Sequence, residues 1–397
     1  MLKKNDTITL DITEQGKTGD GMGFVDTFPV YVPNCISGDR ISCKILKIDK
    51  RRAFGKCLSV LSPSNDRAVP KCAVAATCGG CGVQHQALEA QVRFRETLLK
   101  ARLARFLMLP PQVFRPMVRH SEPWEFRNKL QCTFGIDPKT GSVTLGLYAA
   151  RSHRVVDIDS CPIIYPKMNT VFSAVKDWAV QHHIPIFNEL TGEGVLRFLT
   201  LRYAPHTEQV MVIITGSEPV LADDWKHTLK DIPGITSAHY CQQGDPTNDA
   251  VVDASPTLIF GEPVIEDVVF GVQCSISPLS FMQGNGQMVD VLYQTFMDAL
   301  DYKGGDIVDL YCGAGVFTIA LARGYVGTNG ADKQGKVIGV DINASSIADA
   351  VKNAKCAKVD VDFKCEAAEV FVQQHDLAQA TVIMDPPRKG CDPTVLE

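Results

Sequence analysis

The stretch DIVDLYCGAGVFTIALARG (306–324) predicts the fold of the last third of the chain. A short apolar strand comes first, a turn with Gly313 and Gly315 follows, and the remainder is an apolar run typical of a helix. Glycine at these two positions lets the backbone bend tightly and approach a ligand closely, because no Cβ is in the way. The order strand, glycine turn, helix is typical of a doubly wound parallel sheet.

The segments around this stretch continue the alternation of helices and strands. In chain order they are a helix, a strand, a second helix, and a strand that enters a loop: QMVDVLYQTFMDALD (287–301), KVIGVDIN (336–343), SSIADAVKNAKCA (345–357) and TVIMDPPRKG (381–390). The sequence therefore predicts a Rossmann-like α/β domain at the C-terminal end.

Two carboxylates end strands of this predicted sheet. Asp341 ends the second strand, where an acidic side chain can accept hydrogen bonds from ribose hydroxyls. Asp385 lies at the carboxyl end of a later strand, where open α/β sheets bind ligands. Thr318 occupies the position of the third glycine of a dinucleotide fingerprint. This favours S-adenosylmethionine over NAD, because S-adenosylmethionine has no pyrophosphate to hold. A structural turn with a surface acid is the alternative.

The front of the chain has a different character. Its first sixty residues form short β-type segments with Gly and Pro turns, which predict a small barrel. A basic run from Lys47 to Lys56 is either a phosphate track or a solvated loop. Residues 1–125 contain 19 Lys and Arg against 12 Asp and Glu, and the remainder 21 against 33. The basic front indicates a polyanionic partner, with chance surface variation as the alternative.

Between these parts, residues 126–275 are rich in strand-type segments and predict a mixed α+β domain with an antiparallel sheet. A helix with one basic face is predicted over residues 85–107. No apolar run approaches membrane-spanning length and the N-terminus is too polar for a signal peptide, so we expect a cytoplasmic protein without membrane contact. In a reducing cytosol, clustered cysteines more often bind metal or perform chemistry than form disulfides.

Three thiols lie in one short loop, Cys72-x5-Cys78-x2-Cys81. Thiolates bind soft metal centres, and close spacing lets one loop surround the metal. Cys161, which is followed by a proline, is the best candidate for a fourth ligand. Local spacing alone leaves an iron–sulfur cluster and a tetrahedral zinc as equal alternatives.

Taken together, six motifs in order resemble the RNA 5-methyluridine (uracil-C5) methyltransferases, and specifically the branch that modifies 23S ribosomal RNA. The motifs are the barrel, the cysteine spacing with a distant Cys-Pro, FRNKLQ (126–131), SFMQGN (280–285), DLYCGAG (309–315) and DPPRKG (385–390). In that branch the barrel is a TRAM domain, an OB-like module that binds RNA. The transfer-RNA branch typically lacks both the barrel and the cluster cysteines.

The resemblance implies roles for particular residues. Those expected to bind S-adenosylmethionine are Gln283, Tyr311, Asp341 and Asp385. Those expected to hold a [4Fe–4S] cluster are Cys72, Cys78, Cys81 and Cys161. Arg127 and Lys129 of the FRNKLQ segment are expected to bind RNA. The family usually has Glu where this chain has Asp341, so the shorter side chain has less reach towards the ribose.

One part of the family pattern is missing. The nucleophile of the family is a cysteine in a Ser-Cys-Asn-Pro motif downstream of Asp-Pro-Pro-Arg, and these 397 residues do not contain that motif. Cys391 is too close to Asp385 and is followed by Asp-Pro, so we assign no catalytic residue. We therefore expect a C-terminally truncated chain that binds the methyl donor but transfers no methyl group alone.

The predicted architecture has three domains. These are an OB-like TRAM barrel over residues 1–62, a central α+β domain with the iron–sulfur site over 63–275, and an incomplete Rossmann-like methyltransferase domain over 276–397. The expected partner is 23S ribosomal RNA, with no obligate protein partner evident. A radical S-adenosylmethionine enzyme is a rival, but such enzymes use a C-x3-C-x2-C spacing. A non-catalytic RNA-binding protein that keeps the donor pocket is the alternative from another class.

Overall fold

The computed structural model of the chain describes residues 2–245, 256–326 and 335–396, without the side chains of residues 325 and 326. The chain packs into two compact units. The first comprises residues 1–123 and 146–162, and the second residues 124–145 and 163–397. The division into three consecutive domains made from the sequence is a separate description of the chain, and it stays a prediction.

Five strands near the N-terminus close into a barrel, as the sequence predicts. They are β1 (Thr7–Gln15), β2 (Gly21–Val25), β3 (Phe28–Val32), β4 (Arg40–Ile48) and β5 (Ala53–Ser62), and they pair in the order β1-β2-β3-β5-β4. Alternate residues point inwards, so Leu10, Val30, Ile41 and Ile45 are almost entirely buried in the barrel.

The basic helix of the first unit is α1 (Leu88–Leu103). It ends four residues earlier than the sequence predicts, at the cap residue Ala104. Ala90 is the single buried residue of its sixteen, whereas the predicted apolar face is half-exposed or exposed. The helix therefore lies on the surface of the unit.

In the part of the chain that the structure describes, nine further strands precede the C-terminal sheet. They are β6 (Lys129–Ile136), β7 (Val143–Tyr148), β8 (Val155–Asp157), β9 (Leu196–Ala204), β10 (Gln209–Gly216), β11 (Ser237–Gln242), β12 (Thr257–Gly261), β13 (Ile265–Val269) and β14 (Val272–Ile276). In the second unit β12, β11, β10, β9 and β6 are neighbours in that order. Strands β13 and β14 form a separate antiparallel pair.

The expectation of an antiparallel sheet in this region is wrong for one pair of strands. Strands β10 and β11 run parallel, while β9 with β10 and β11 with β12 are antiparallel. Parallel neighbours need a crossover, and the short helix α3 (Asp223–Leu229) supplies it. The longer helix α2 (Pro166–Gln181) buries an apolar face that includes Phe172, Val175 and Trp178.

The C-terminal part forms a parallel sheet with alternating helices, as predicted. Its strands are β15 (Ile307–Leu310), β16 (Val337–Asp341), β17 (Asp362–Cys365) and β18 (Thr381–Met384), in the spatial order β17-β16-β15-β18. The helices are α4 (Val289–Ala299), α5 (Val316–Leu321), α6 (Ala344–Ala357) and α7 (Ala368–Gln374). Strand order reverses beside β15, and ligands of open α/β sheets bind at such a reversal. In the described residues, no helix combines the length and apolar character that a membrane crossing requires.

Candidate functional site

The turn after β15 has an unusual backbone. Tyr311, Gly313 and Gly315 all have positive φ, at 68°, 56° and 75°. For tyrosine this left-handed conformation is uncommon, and two hydrogen bonds from the Tyr311 and Cys312 amides to the Val340 carbonyl hold it in place, at 2.8 and 3.0 Å. A Cβ on Gly315 would be 2.7 Å from the Ala350 Cβ. The glycine therefore lets the turn pack directly on α6.

Asp341 is tied to this turn. One carboxylate oxygen accepts a hydrogen bond from the Gly313 amide at 3.0 Å, and the other accepts one from the Asn343 amide at 2.8 Å. The side chain is half-buried. Because a carboxylate oxygen has two acceptor sites, Asp341 keeps capacity to accept from a ribose hydroxyl while it holds the turn.

Gln283 and Asp385 meet at the same place, although 102 residues separate them in sequence. The Gln283 amide donates to an Asp385 carboxylate oxygen over 2.6 Å. Both side chains line a cavity together with Tyr311, Gly313 and Asp309. The other wall of that cavity is apolar and aromatic, formed by Phe281, Leu292, Tyr293, Phe296 and Phe317.

A second cavity lies on the other side of Tyr311. It is lined by Asp341, Ile342, Glu369 and Lys389 as well as by Tyr311 itself. The structure thus brings all four residues expected to bind the donor to two cavities that share Tyr311. The polar groups, the aromatic wall and the bare glycine backbone fit S-adenosylmethionine, which has a charged amino-acid end, a ribose, a flat adenine ring and a positively charged methyl sulfonium.

Asp309 is a site residue that the sequence analysis did not assign. It is fully buried beside the first cavity, and it accepts a hydrogen bond of 2.6 Å from the Thr318 hydroxyl. Burial raises the pKa of its carboxyl to about 7, and the charges of Asp385 and Asp341 act in the same direction. A charged residue inside the otherwise apolar strand IVDL is the sequence signal that could have identified it.

A polar face of α6 was also missed. Ser346, Asp349 and Asn353 are all buried, although they belong to a helix that begins and ends at the surface. Their spacing of three and four residues places them on one face. That spacing is a visible signal in the sequence, but a polar stripe on a helix ordinarily indicates a solvated face.

These three side chains bind backbone groups of residues 275–281, which precede Gln283, and of the glycine turn. The Ser275 amide donates to the Asn353 side chain at 2.8 Å, the Ser277 amide to Asp349 at 2.9 Å, and the Phe281 amide to Ser346 at 3.1 Å. The side-chain nitrogen of Asn353 donates to the Ala314 carbonyl in the glycine turn, at 3.1 Å. Helix α6 therefore fixes the loop that presents Gln283 relative to the turn.

Arg127 and Lys129 lie next to the same loop. Asn128, between them, donates from its side chain to the Gln283 carbonyl at 3.0 Å and from its amide to the Gly284 carbonyl at 3.1 Å. Lys129 is opposite the buried Arg202 in the β6–β9 ladder. Burial, followed by the positive charges of Arg202 and Arg127, lowers the pKa of Lys129 to about 8. Neither Arg127 nor Lys129 forms an ion pair with the residues that the structure describes.

The cysteine loop lies in the first unit. Burial raises the pKa of the Cys78 thiol, and the neighbouring Cys81 and Cys72 act in the same direction. Cys161 is buried in the same unit. Within residues 2–245, 256–326 and 335–396, however, no group of three or more His, Cys, Asp or Glu side chains is arranged to hold a metal ion. The side chains as placed do not form the expected ligand set.

Comparisons with known protein families match the N-terminal barrel and the C-terminal α/β part of the chain. A TRAM domain model matches residues 2–58, and a model described as methyltransferase domain matches residues 301–384. An uncharacterized RNA methyltransferase of Clostridium tetani is 31% identical over 404 residues, which cover 100% of this chain and 85% of the relative. Another from Staphylococcus epidermidis RP62A is 33% identical over 406 residues, covering 100% of this chain and 86% of the relative.

One solved structure has the same overall fold. The crystal structure of Pyrococcus abyssi tRNA (uracil-54, C5)-methyltransferase in complex with S-adenosyl-L-homocysteine matches with a TM-score of 0.74 and 24% identity, covering 98% of this chain and 85% of that chain. The fold and the two matching models define a methyltransferase with an N-terminal TRAM domain. By its similarity to the two bacterial relatives, the chain belongs to the RNA methyltransferases.

Proposed function

We propose that the protein directs a methyl group from S-adenosylmethionine to C5 of a uridine in 23S ribosomal RNA. The observation that carries the proposal is the contact between Asn128 and the Gln283 carbonyl. Arg127 and Lys129, which form no ion pair among the described residues, flank Asn128 and therefore lie next to the loop of Gln283, which meets Asp385. A cationic segment next to a donor-binding loop suits a nucleic acid whose base must reach the donor. The archaeal structure of the same fold is named for transfer to uracil C5, which supports that atom as the acceptor.

Uracil C5 is a poor nucleophile, which makes a covalent step necessary. A cysteine thiolate that adds to C6 produces an enolate, and C5 of that enolate can attack the methyl carbon of a sulfonium, so that the bond to C5 forms as the S–C bond breaks and a neutral thioether leaves. A base then takes the C5 proton, the C6–S bond breaks with its electron pair on sulfur, and the thiolate is regenerated. S-adenosylmethionine supplies the methyl group when bound, while Gln283, Tyr311, Asp341 and Asp385 hold and orient it.

The nucleophile is not assigned to any residue of this chain. Cys391 lines the second cavity, but it precedes Asp-Pro instead of Asn-Pro. The chain covers 85% of the Clostridium relative, and we propose that the nucleophile belongs to the remaining part of the full-length proteins. On this proposal the 397 residues bind donor and RNA without transferring the methyl group.

Calorimetry and a transfer assay test these statements separately. We expect S-adenosylhomocysteine to bind the chain, and radiolabelled S-adenosylmethionine to give no 5-methyluridine in a 23S ribosomal RNA fragment. Formation of 5-methyluridine would contradict the proposed loss of chemistry, and absence of binding heat would contradict the donor site.

The choice of RNA needs its own measurement. Filter binding at fixed salt should show tighter binding of the ribosomal RNA fragment than of an unmodified transfer RNA. The reverse order would exclude ribosomal RNA as the preferred substrate while leaving the donor site intact.

A non-catalytic RNA-binding protein that keeps the donor pocket is the second candidate. The 397 residues contain the residues expected to bind the donor and the basic segment, but not Ser-Cys-Asn-Pro. The coding sequence beyond Glu397 distinguishes the two, because an open frame with that motif supports the enzyme and an immediate stop codon supports the binder.

The [4Fe–4S] cluster at the cysteine loop stays a prediction, and no step above passes through it. The spacing Cys72-x5-Cys78-x2-Cys81 supports it, whereas the placement of side chains in the described residues does not form a ligand set. Iron and acid-labile sulfide analysis of anaerobically purified protein is the test. We expect both to be present and to be lost in Cys78→Ser; zinc or no metal would contradict the cluster.

A further inference from the structure

Two carboxylates face the first cavity, in which Gln283 and Asp385 meet, and no cation accompanies them. Asp309 and Asp385 line this cavity, whereas none of its lining residues is a lysine, an arginine or a histidine. Neither carboxylate forms an ion pair among the residues that the structure describes. All of the lining residues belong to the second unit. The cavity therefore contains acids that the protein itself does not pair with a cation.

The position of Asp309 in the sheet explains why it has no such partner. Its strand, β15, lies between β16 and β18, where Asp309 is paired with Gly339 on one side and with Ile383 on the other. Glycine and isoleucine bring no polar side chain to the carboxylate. Asp309 is 5% exposed, and its hydrogen-bonded neighbour Thr318 is neutral. Water therefore screens the charge of this side chain only weakly.

The opposite wall of the cavity consists of packed aromatic rings. Tyr293 and Phe317 are stacked, with ring centroids 4.7 Å apart and an interplanar angle of 19°. Phe296 lies against Phe317 with 5.5 Å between the centroids. The face of an aromatic ring attracts cations, and the attraction is strongest where water is excluded. Carboxylates and rings thus favour the same kind of ligand group, an organic cation.

We propose that Asp309 is a specificity-determining residue, which makes this cavity prefer the sulfonium of the methyl donor to the neutral thioether that remains after methyl transfer. The inference rests on the proposed function, in which S-adenosylmethionine is the donor. Donor and product share the ammonium, the carboxylate, the ribose and the adenine. Apart from the methyl group itself, the sulfonium charge is therefore the difference by which the cavity can distinguish them.

The same charge links ligand binding to the protonation of Asp309. Burial raises the pKa of its carboxyl to about 7, and the charges of Asp385 and Asp341 act in the same direction. Two further titratable groups that interact with it, Tyr293 and Cys312, are acids as well. A sulfonium in the cavity favours the ionised carboxylate, so binding of the donor releases a proton. A thioether has no such effect.

This linkage gives a direction to the exchange of ligands. While the donor is bound, its sulfonium offsets the charge of the two acids. Transfer of the methyl group leaves the electron pair of the broken S–C bond on sulfur, so the ligand becomes a neutral thioether and this attraction disappears. The Asp309 carboxyl then takes up a proton from the solvent. The product is held less tightly than the donor, which clears the cavity for the next donor molecule.

Calorimetry in buffers of different ionisation enthalpy counts the protons that binding releases. With the unmodified 397-residue chain at pH 7, we expect about half a proton per S-adenosylmethionine and close to none per S-adenosylhomocysteine. From pH 6 to pH 7.5 the affinity for S-adenosylmethionine should rise about fivefold to tenfold, because Asp309 ionises over this range, while that for S-adenosylhomocysteine should change less than about twofold. Equal proton release with both ligands would overturn the proposal.

Asp309→Asn removes the charge and keeps an acceptor for the Thr318 hydroxyl. We expect the ratio of donor affinity to product affinity to fall at least about tenfold, and the proton release to disappear. An equal loss of affinity for both ligands would show that Asp309 acts on a group that they share, such as the ammonium, and would overturn the proposal. Asp298→Asn removes an exposed acid of α4 that does not line the cavity, and it should leave the ratio unchanged.

The outcomes separate this inference from the proposed function. Binding of both ligands with no dependence of their affinity ratio on Asp309 would overturn the role of this residue and leave the donor site in place. Absence of binding heat with either ligand would overturn the donor site itself. If Asp309→Asn does not fold, the proton count of the unmodified chain still decides, because it requires no variant.

Discussion

At the scale of single residues, the hydrogen bond between Gln283 and Asp385 has the clearest consequence for donor binding. Gln283→Glu would place a second carboxylate against Asp385, where the amide now donates at 2.6 Å. Like charges at this distance repel each other, so the pair can no longer keep its geometry. We expect the affinity for S-adenosylhomocysteine, measured by calorimetry, to fall at least about tenfold.

The same substitution at a surface pair is the matched control. Gln294 on α4 donates to Asp298 at 2.7 Å, and both side chains are exposed. Gln294→Glu also opposes two carboxylates, but water screens them. Donor affinity should not change in this variant. An equal loss in both variants would show that the effect is not specific to the cavity.

Asp309 gives a pH dependence at the same scale. Burial raises its carboxyl pKa to about 7, whereas an unfolded aspartate has a pKa of about 3.9. Between these values the folded chain keeps a proton that the unfolded chain has released, so this residue makes stability fall as pH rises from about 4 to about 7. Asp309→Asn keeps an acceptor for the Thr318 hydroxyl and does not titrate.

Urea unfolding of both proteins at pH 4.5 and pH 8 measures this contribution. From pH 4.5 to pH 8 the unmodified chain should lose about 2–4 kcal/mol of unfolding free energy more than Asp309→Asn loses, because the variant has no carboxyl to deprotonate at this position. A difference that does not vary with pH would mean that Asp309 titrates normally.

At the scale of elements, α6 connects the glycine turn to the loop of Gln283. Asn353→Asp retains the acceptor for the Ser275 amide but replaces the donor to the Ala314 carbonyl by an oxygen. The new oxygen faces a carbonyl in a site that is 1% exposed. We expect the free energy of unfolding to fall by about 2–4 kcal/mol, and donor affinity to fall as well.

Lys352→Gln on the same helix is the control for this variant. Lys352 is exposed and pairs with Glu266 at 3.4 Å, an interaction of little weight at the surface. The free energy of unfolding of Lys352→Gln should stay within about 0.5 kcal/mol of that of the unmodified chain. If Asn353→Asp changes the free energy of unfolding and donor affinity as little as Lys352→Gln does, α6 does not position the donor site.

The elements also show which features a sequence can predict. The barrel and the strand–turn–helix units follow from local patterns of apolar residues and glycine, and the structure contains them. The parallel pairing of β10 with β11 does not, because the short crossover helix α3 has no distinctive pattern. The polar face of α6 is hidden for another reason: its partners are backbone amides 65 to 78 residues away.

At the scale of the whole molecule, charge is divided unevenly along the chain. Residues 1–125 have 19 basic side chains against 12 acidic ones, and residues 126–397 have 21 against 33. On the proposal that the basic part holds RNA, binding of RNA releases counterions, whereas binding of the donor releases few. We expect RNA affinity to fall at least tenfold between 50 and 200 mM salt, while S-adenosylhomocysteine affinity changes less than about twofold. Equal salt sensitivity of the two ligands would contradict electrostatic RNA binding.

The three buried polar side chains of α6 make amide hydrogen exchange a measure of local opening between this helix and residues 275–281. The Ser275, Ser277 and Phe281 amides are protected from solvent only while Asn353, Asp349 and Ser346 remain in place. Deuterium uptake at these amides therefore reports local opening of the helix away from the donor loop. Because the ligand cavity is assembled by this contact, an occupied cavity should slow uptake at all three amides together, as one cooperative unit.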